Sequence, residues 1–187
     1  MSGSGSASAE LARVGRRVIA EGLVSGNFGN ASIRSRDGFL VKRTGAYLDD
    51  PGPLAFVPLE GDLPAEASRE ALIHRAIYQE TRHGAVLHAH PVFAVTLSLS
   101  REKVVPVDSR GQLLCPAIPV VSGASGSQKL GDRVAEALVH GKIAIVRGHG
   151  TFAAGKDIEE AYLVTSAAEH ACRILFYRSL LGQDDSG

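Results

Sequence analysis

Three histidines and one glutamate are the residues of this chain best placed to do chemistry. His88 and His90 stand in A-V-L-H-A-H, an i, i+2 pair inside a run of strand character. Successive side chains of a strand alternate faces, so both imidazoles project from one side and can share a metal ion. A metal needs at least one more ligand from elsewhere. His149 sits in R-G-H-G, directly after the apolar run K-I-A-I-V, and its two flanking glycines leave room for close approach of a ligand or metal. The three together match the ligand count of a catalytic Zn²⁺ that keeps one position open. The same donors also suit Mn²⁺ or Co²⁺. The competing reading is that His88 and His90 line a strand without binding metal. Glu70 opens a helical stretch, where its carboxylate can carry a proton or simply complement the helix dipole. His74, one turn further on, reads as a packing or hydrogen-bonding residue. His83, His140 and His170 fall in a turn, near a helix end and inside a helix, and receive no function.

The elements that must position these residues can be read in order. Helical spacing of Leu11, Val14, Val18 and Ile19 predicts a helix over 9–21 that stops at Gly22. The small polar loop S-G-N-F-G-N-A-S then feeds a hairpin, A-S-I-R-S, R-D-G and F-L-V-K-R-T-G. Backbone amides in such loops can cradle an anion, with Asn27, Asn30, Thr44 and Gly45 as candidate donors, although glycine-rich turns are often only turns. One short strand is expected near Phe56. Ser68 reads as an N-cap, placing Arg69 and Glu70 in the first turn of a helix striped by Ile73, Ile77 and Tyr78. Pro91 ends the histidine strand and opens a short helix. K-V-V-P-V and A-I-P-V-V are strands whose prolines suggest edges or ends. S-G-A-S-G-S is a turn, and residues 128–140 form an amphipathic helix. K-I-A-I-V-R pairs through G-H-G-T-F-A-A-G with a partner strand. Asp157 and Glu160 form a D-x-x-E capping box at the head of a final helix that reaches about Leu181.

The expected fold is therefore a single α+β domain, a mostly antiparallel central sheet covered by helices. Its length, 187 residues, suits one core. Residues 1–8 read as a flexible lead-in, 9–182 as the domain and 183–187 as a tail. Lysine plus arginine, 20, equals aspartate plus glutamate, 20, so overall charge marks neither a nucleic-acid nor a membrane partner. No apolar run reaches transmembrane length and no secretory segment is visible. Cys115 and Cys172 lack a Cys-x-x-Cys pattern and read as small buried apolar residues in a reduced, cytoplasmic protein.

Four segments in this order resemble the class II aldolase/adducin family: G-N-A-S with D-G-F-L-V-K-R-T-G, S-R-E-A-L-I-H-R-A-I-Y, H-A-H-P, and R-G-H-G-T-F-A-A-G-K-D-I-E-E-A. The resemblance implies the family's three-layer α/β/α fold, Zn²⁺ on His88, His90 and His149, and Glu70 as acid/base. It also implies a phosphate pocket at Gly29, Asn30, Thr44, Gly45 and Ser68, faced by Asn27. The activity it implies is cleavage of a phosphorylated ketose by a fourfold tetramer with sites near subunit contacts. Dehydratase, 4-epimerase and 3-oxo acid phosphate decarboxylase chemistries share the same metal set, and an adducin-like binding module would keep the fold alone. Two departures stand out. Arg69 occupies the place of a serine, where it can grip phosphate or point to solvent. The segment V-P-V-D-S-R-G-Q lacks the tyrosine that the family's fuculose phosphate aldolase carries there, and that enzyme's tyrosine-bearing C-terminal tail has no counterpart.

Overall fold

The computed structural model describes residues 3–182. Eight strands form one sheet: β1 (Asn30–Ser35), β2 (Gly38–Val41), β3 (Ala55–Pro58), β4 (Ala85–Ala89), β5 (Lys103–Val104), β6 (Ile118–Val121), β7 (Ile143–Val146) and β8 (Gly150–Gly155). Their order is β3-β2-β1-β4-β8-β7-β6-β5, and every pairing is antiparallel except β6 with β7. That parallel pair is joined by a crossover helix, as a parallel connection requires. The helices are α1 (Gly3–Ala20), α2 (Ala71–Glu80), α3 (Val92–Ser98), α4 (Ser109–Leu114), α5 (Gln128–His140) and α6 (Ile158–Leu180).

Strand alternation sorts the sheet's side chains into two cores. Val86, Phe152 and Ala154 face α2 and α5, meeting Ile73, Ile77, Leu130, Val134 and Leu138. Ala85, Leu87 and Ala89 face the other way, onto Leu11, Val14 and Val18 of α1 and Ile158 of α6. A third cluster packs α3 and α6 against β5, β6 and β7. The result is the expected three-layer α+β architecture. Because helices cover both faces, the strands nearest the centre read as continuous apolar runs, and β7 and β8 are buried along their whole length.

Several boundaries differ from the sequence reading. α1 begins at Gly3, so residues 3–8 are helical instead of a flexible lead-in. Ala7 is buried there and Ser8 Oγ donates to Gly52 O at 2.7 Å, tertiary contacts that override weak local propensity. The proposed tail at 183–187 lies outside the described residues. α2 starts at Ala71, not at Ser68. The capping box of α6 closes on one side only. Asp157 Oδ1 accepts from Glu160 N at 2.8 Å, but Glu160 turns to Lys156 N and Lys142. The short helix α4, capped by Asp108 accepting from Gly111 N, has no counterpart in the sequence reading. Cys115 and Cys172 are free and buried, as expected.

Candidate active site

His88 is the penultimate residue of β4 and points to the α2/α5 side, where its ring stacks on Phe152 with centroids 4.2 Å apart. Its Nδ1 lies 2.9 Å from Thr151 O. A carbonyl can only accept, so Nδ1 carries the proton and Nε2 is left with a free lone pair. His90 follows just beyond the strand end, and its Nε2 lies 3.0 Å from His88 Nε2. His149 completes the group, its ring centroid 4.9 Å from that of His88 and 5.3 Å from that of His90. One ligating atom from each of the three lies within 4.8 Å of the others. Among the described residues no other histidine, cysteine or carboxylate trio is so gathered. Burial, reinforced by the charges of His90 and His149, holds His88 well below the usual imidazole range. Burial first, then His149, brings His90 down to about 4. Both are neutral at physiological pH, the protonation state that ligates a metal. Three convergent imidazoles, one with its distal nitrogen fixed by a carbonyl, fit a borderline divalent cation.

The turn that carries His149 is built to bring it there. Residues 146–149 form a β-turn closed by His149 N donating to Val146 O at 3.0 Å, with Gly148 at φ +66° in its third position. The turn is anchored from outside. Ser98 Oγ accepts from Gly148 N at 2.9 Å, and Arg147 Nη1 donates to Ser98 O at 2.5 Å. Gly150 has a different job from the one its sequence context suggests. A Cβ there would meet Ala89 O at 2.3 Å and His90 Cδ2 at 2.7 Å. The missing side chain makes space for the ligand rings and the neighbouring strand, not for an incoming substrate. One residue after His90 the chain enters α3, whose proline N-cap, Pro91, offers no side-chain acceptor. Glu169 of α6 supplies it, accepting from Phe93 N at 3.0 Å and Ala94 N at 2.9 Å.

The histidines open onto a cleft of about 310 Å³ lined by Asn27, Gly29, Asn30, Thr44, Gly45, Ser68, Arg69 and Glu70. Every residue singled out from the sequence for metal, proton or anion chemistry thus lines one cavity. Asn30 pairs with His88 across β1 and β4, which is why loop and metal ligands meet. Its Oδ1 is buried without a protein partner, as is Glu70 Oε2. Glu70 is the N-cap of α2, and Ser68 and Arg69 lie in the turn before it. The Thr44 hydroxyl donates to Ala67 O at 2.8 Å and its backbone amide to Glu66 O at 3.1 Å, so Thr44 can serve an anion only by giving up one of these bonds. His74 behaves as expected, its Nδ1 2.7 Å from Ser32 Oγ in the core beneath the site.

Two lining residues were not anticipated, Phe28 and Lys42. Lys42 is buried, its ammonium donating to Asn27 O at 3.0 Å and Ala46 O at 2.6 Å, so it clasps the two anion loops together. Burial lowers its pKa to about 8. Its signal in the sequence was a lysine directly after the apolar run F-L-V, which reads equally well as a strand end in solvent. Phe28 is 61% exposed and its ring centroid lies 6.0 Å from that of His90, an apolar wall at the cleft mouth.

Comparison with known proteins agrees with this architecture. Residues 9–176 match the family described as Class II Aldolase and Adducin N-terminal domain. The crystal structure of L-fuculose-1-phosphate aldolase from Thermus thermophilus superposes with a TM-score of 0.90 at 35% identity, covering 96% of this chain and 97% of that one. An L-fuculose phosphate aldolase of Methanococcus maripaludis is 27% identical over 165 residues, 86% of this chain and 90% of its own length. A methylthioribulose-1-phosphate dehydratase of Acidiphilium cryptum is 29% identical over 180 residues, 86% of this chain and 85% of its own. Among the described residues no helix is long and apolar enough to cross a membrane.

Proposed function

Because the chain belongs to the class II aldolase and adducin family, we propose that it is a zinc-dependent aldehyde-lyase. Its substrate in this reading is L-fuculose 1-phosphate or a related deoxyketose 1-phosphate, cleaved to dihydroxyacetone phosphate and an aldehyde. The observation that carries the proposal is the convergence of His88, His90, His149, Glu70 and the anion loops on one cleft. A divalent cation held by the three rings would supply Lewis-acid stabilisation of negative charge on the substrate's carbonyl oxygen.

The chain's own residues account for the rest. Cleavage breaks the C3–C4 bond as the C4 hydroxyl releases its proton to solvent and the C4 oxygen becomes the carbonyl of the aldehyde product. The electron pair passes to C3, and a proton must then be delivered to that carbon. Glu70, at the edge of the same cleft, is the group proposed to deliver it, and to remove it in the condensation direction. Asn27, Gly29, Asn30, Thr44, Gly45, Ser68 and Arg69 are proposed to hold the phosphate, with Lys42 adding a nearby positive charge. Anchoring a non-reacting dianion in this way spends binding energy on placing the reacting carbons. The unusual Arg69 can meet phosphate oxygens through two donors where a serine offers one. A fourfold tetramer and a cytoplasmic setting complete the proposal.

The test is a product analysis. The zinc-loaded protein is given a panel of ketose 1-phosphates, methylthioribulose 1-phosphate and a 3-oxo acid phosphate, and products are separated. Dihydroxyacetone phosphate released from a ketose 1-phosphate supports the proposal. Water loss or CO₂ release from the other compounds, without any dihydroxyacetone phosphate, would replace it with dehydratase or decarboxylase chemistry on the same fold. A protein that retains no metal and turns over none of them would be a binding module.

A further inference from the structure

The loop S-G-A-S-G-S, residues 122–127, belongs to neither the metal set nor the anion loops. Each of its serines nevertheless has a distinct partner. Ser127 Oγ accepts from Leu130 N at 3.2 Å and caps α5. Ser122 Oγ accepts from Arg147 Nε at 3.2 Å. Ser125 is exposed, contributes nothing to a core, and donates its hydroxyl to Glu70 Oε1 at 2.7 Å.

That contact divides the two oxygens of the carboxylate. Oε1 is held by the serine, whereas Oε2 is buried without a protein partner. A glutamate side chain has several staggered rotamers open to it, and Glu70 stands at the very end of its helix, where the preceding turn does not confine it. A hydrogen bond to a charged group is among the stronger single contacts available to choose between those rotamers. We propose that Ser125 is the positioning residue for Glu70, fixing Oε1 so that Oε2 is the oxygen that exchanges a proton with the substrate carbon. The inference rests on the proposed role of Glu70 as proton carrier.

The same loop is tied to the metal-bearing turn. Arg147 reaches Ser122 with Nε and the end of α3 with Nη1, two residues before His149. The segment that orients Glu70 and the turn that carries His149 therefore share one guanidinium. Proton carrier and metal ligands are held in register through it. A displacement of about 1 Å in such a constellation is enough to lower a rate about a hundredfold.

The experiment follows the proton directly. Zinc-loaded protein is incubated with dihydroxyacetone phosphate in D₂O, and deuterium uptake at its hydroxymethyl carbon is followed by NMR in the wild type, Ser125→Ala and Ser125→Thr. The maximal exchange rate should fall about tenfold or more in Ser125→Ala at an unchanged half-saturating concentration, because the phosphate grip is untouched. Ser125→Thr keeps the hydroxyl and should restore most of the rate. An unchanged rate in Ser125→Ala, or a threonine variant no faster than the alanine one, overturns the inference. Crystal structures of zinc-loaded wild type and Ser125→Ala decide it without turnover. The Glu70 carboxylate should keep its orientation in the first and lose it in the second, and the same orientation in both overturns the inference. A wild type that exchanges no deuterium speaks against the aldolase reading, and the pair of crystal structures then decides the role of Ser125 alone.

Discussion

Replacing Gly150 by alanine should damage the metal site more than the fold. The added methyl would lie 2.3 Å from Ala89 O, 2.7 Å from His90 Cδ2 and 3.2 Å from His88 Cε1, where ordinary contact begins at 3.4 Å. Relief requires β8 to move from β4 by about an ångström, or the His90 ring to swing away. Overpacking of that kind costs about 1–3 kcal/mol of stability. The ligands suffer more, because a metal site tolerates errors of only about 0.5 Å in the positions of its ligating side chains. Zinc affinity should therefore fall about 10- to 100-fold, the range seen when groups supporting metal ligands are lost. Competition of the zinc-loaded protein against a chromogenic chelator reads the affinity, and thermal unfolding of the metal-free protein reads the fold. Gly141→Ala is the control, since that residue is extended (φ −153°) and a Cβ would meet nothing closer than 3.6 Å. Affinity within twofold of wild type in Gly150→Ala would refute the idea that this glycine exists to seat the two rings.

Three further outcomes are expected. Glu70→Gln keeps the shape of the carboxylate but cannot take up a proton, so deuterium exchange into dihydroxyacetone phosphate should drop about 10²- to 10⁴-fold with zinc content unchanged. Lys42→Met should raise the half-saturating concentration of a phosphorylated substrate about tenfold and also lower the melting temperature. A variant affected in only one of the two would show that the ammonium serves either the phosphate or the loops, not both. Burial lowers His74 to about 3. The folded protein keeps this ring neutral while the unfolded chain takes up a proton below about pH 6.5, so its contribution is fully present above pH 6.5 and lost as pH falls toward 3. Each unit in that window costs about 1.4 kcal/mol. Urea unfolding of the metal-free protein at pH 6.5 and 5 should therefore differ by about 2 kcal/mol from this group, with His90 adding in the same direction. His74→Asn should flatten that slope, and an equal slope in both proteins would remove His74 from the explanation.

What could be read from the chain in advance depended on how local the signal was. The period of two in H-A-H and the buried run before G-H-G put three histidines at strand ends, and the structure gathers them. Asn27, Asn30, Thr44 and Gly45 were visible as loop residues bracketing one hairpin, and pairing of β1 with β4 brings them to His88. Ser125 could not be seen, because 55 residues separate it from Glu70 and nothing near it marks the contact. Lys42 was read only as part of the hairpin segment F-L-V-K-R-T-G, because nothing in the sequence signals that the loops at 27 and 46 fold over it. The start of α1 was missed for a related reason. Glycine and serine argue against helix locally, and the burial of Ala7 and the bond from Ser8 to Gly52 outweigh them. α4 had a readable cue in Asp108, a good N-cap residue, which Gly111 inside so short a helix obscured.

The most direct measurement is a zinc titration of the metal-free protein during cleavage of a ketose 1-phosphate, with dihydroxyacetone phosphate release as the signal. The rate should rise linearly and break at one zinc per chain, and His149→Ala should show neither the break nor the rate. Full cleavage by protein stripped of metal, or a His149→Ala variant that titrates like wild type, would contradict a three-histidine metal centre as the origin of the activity.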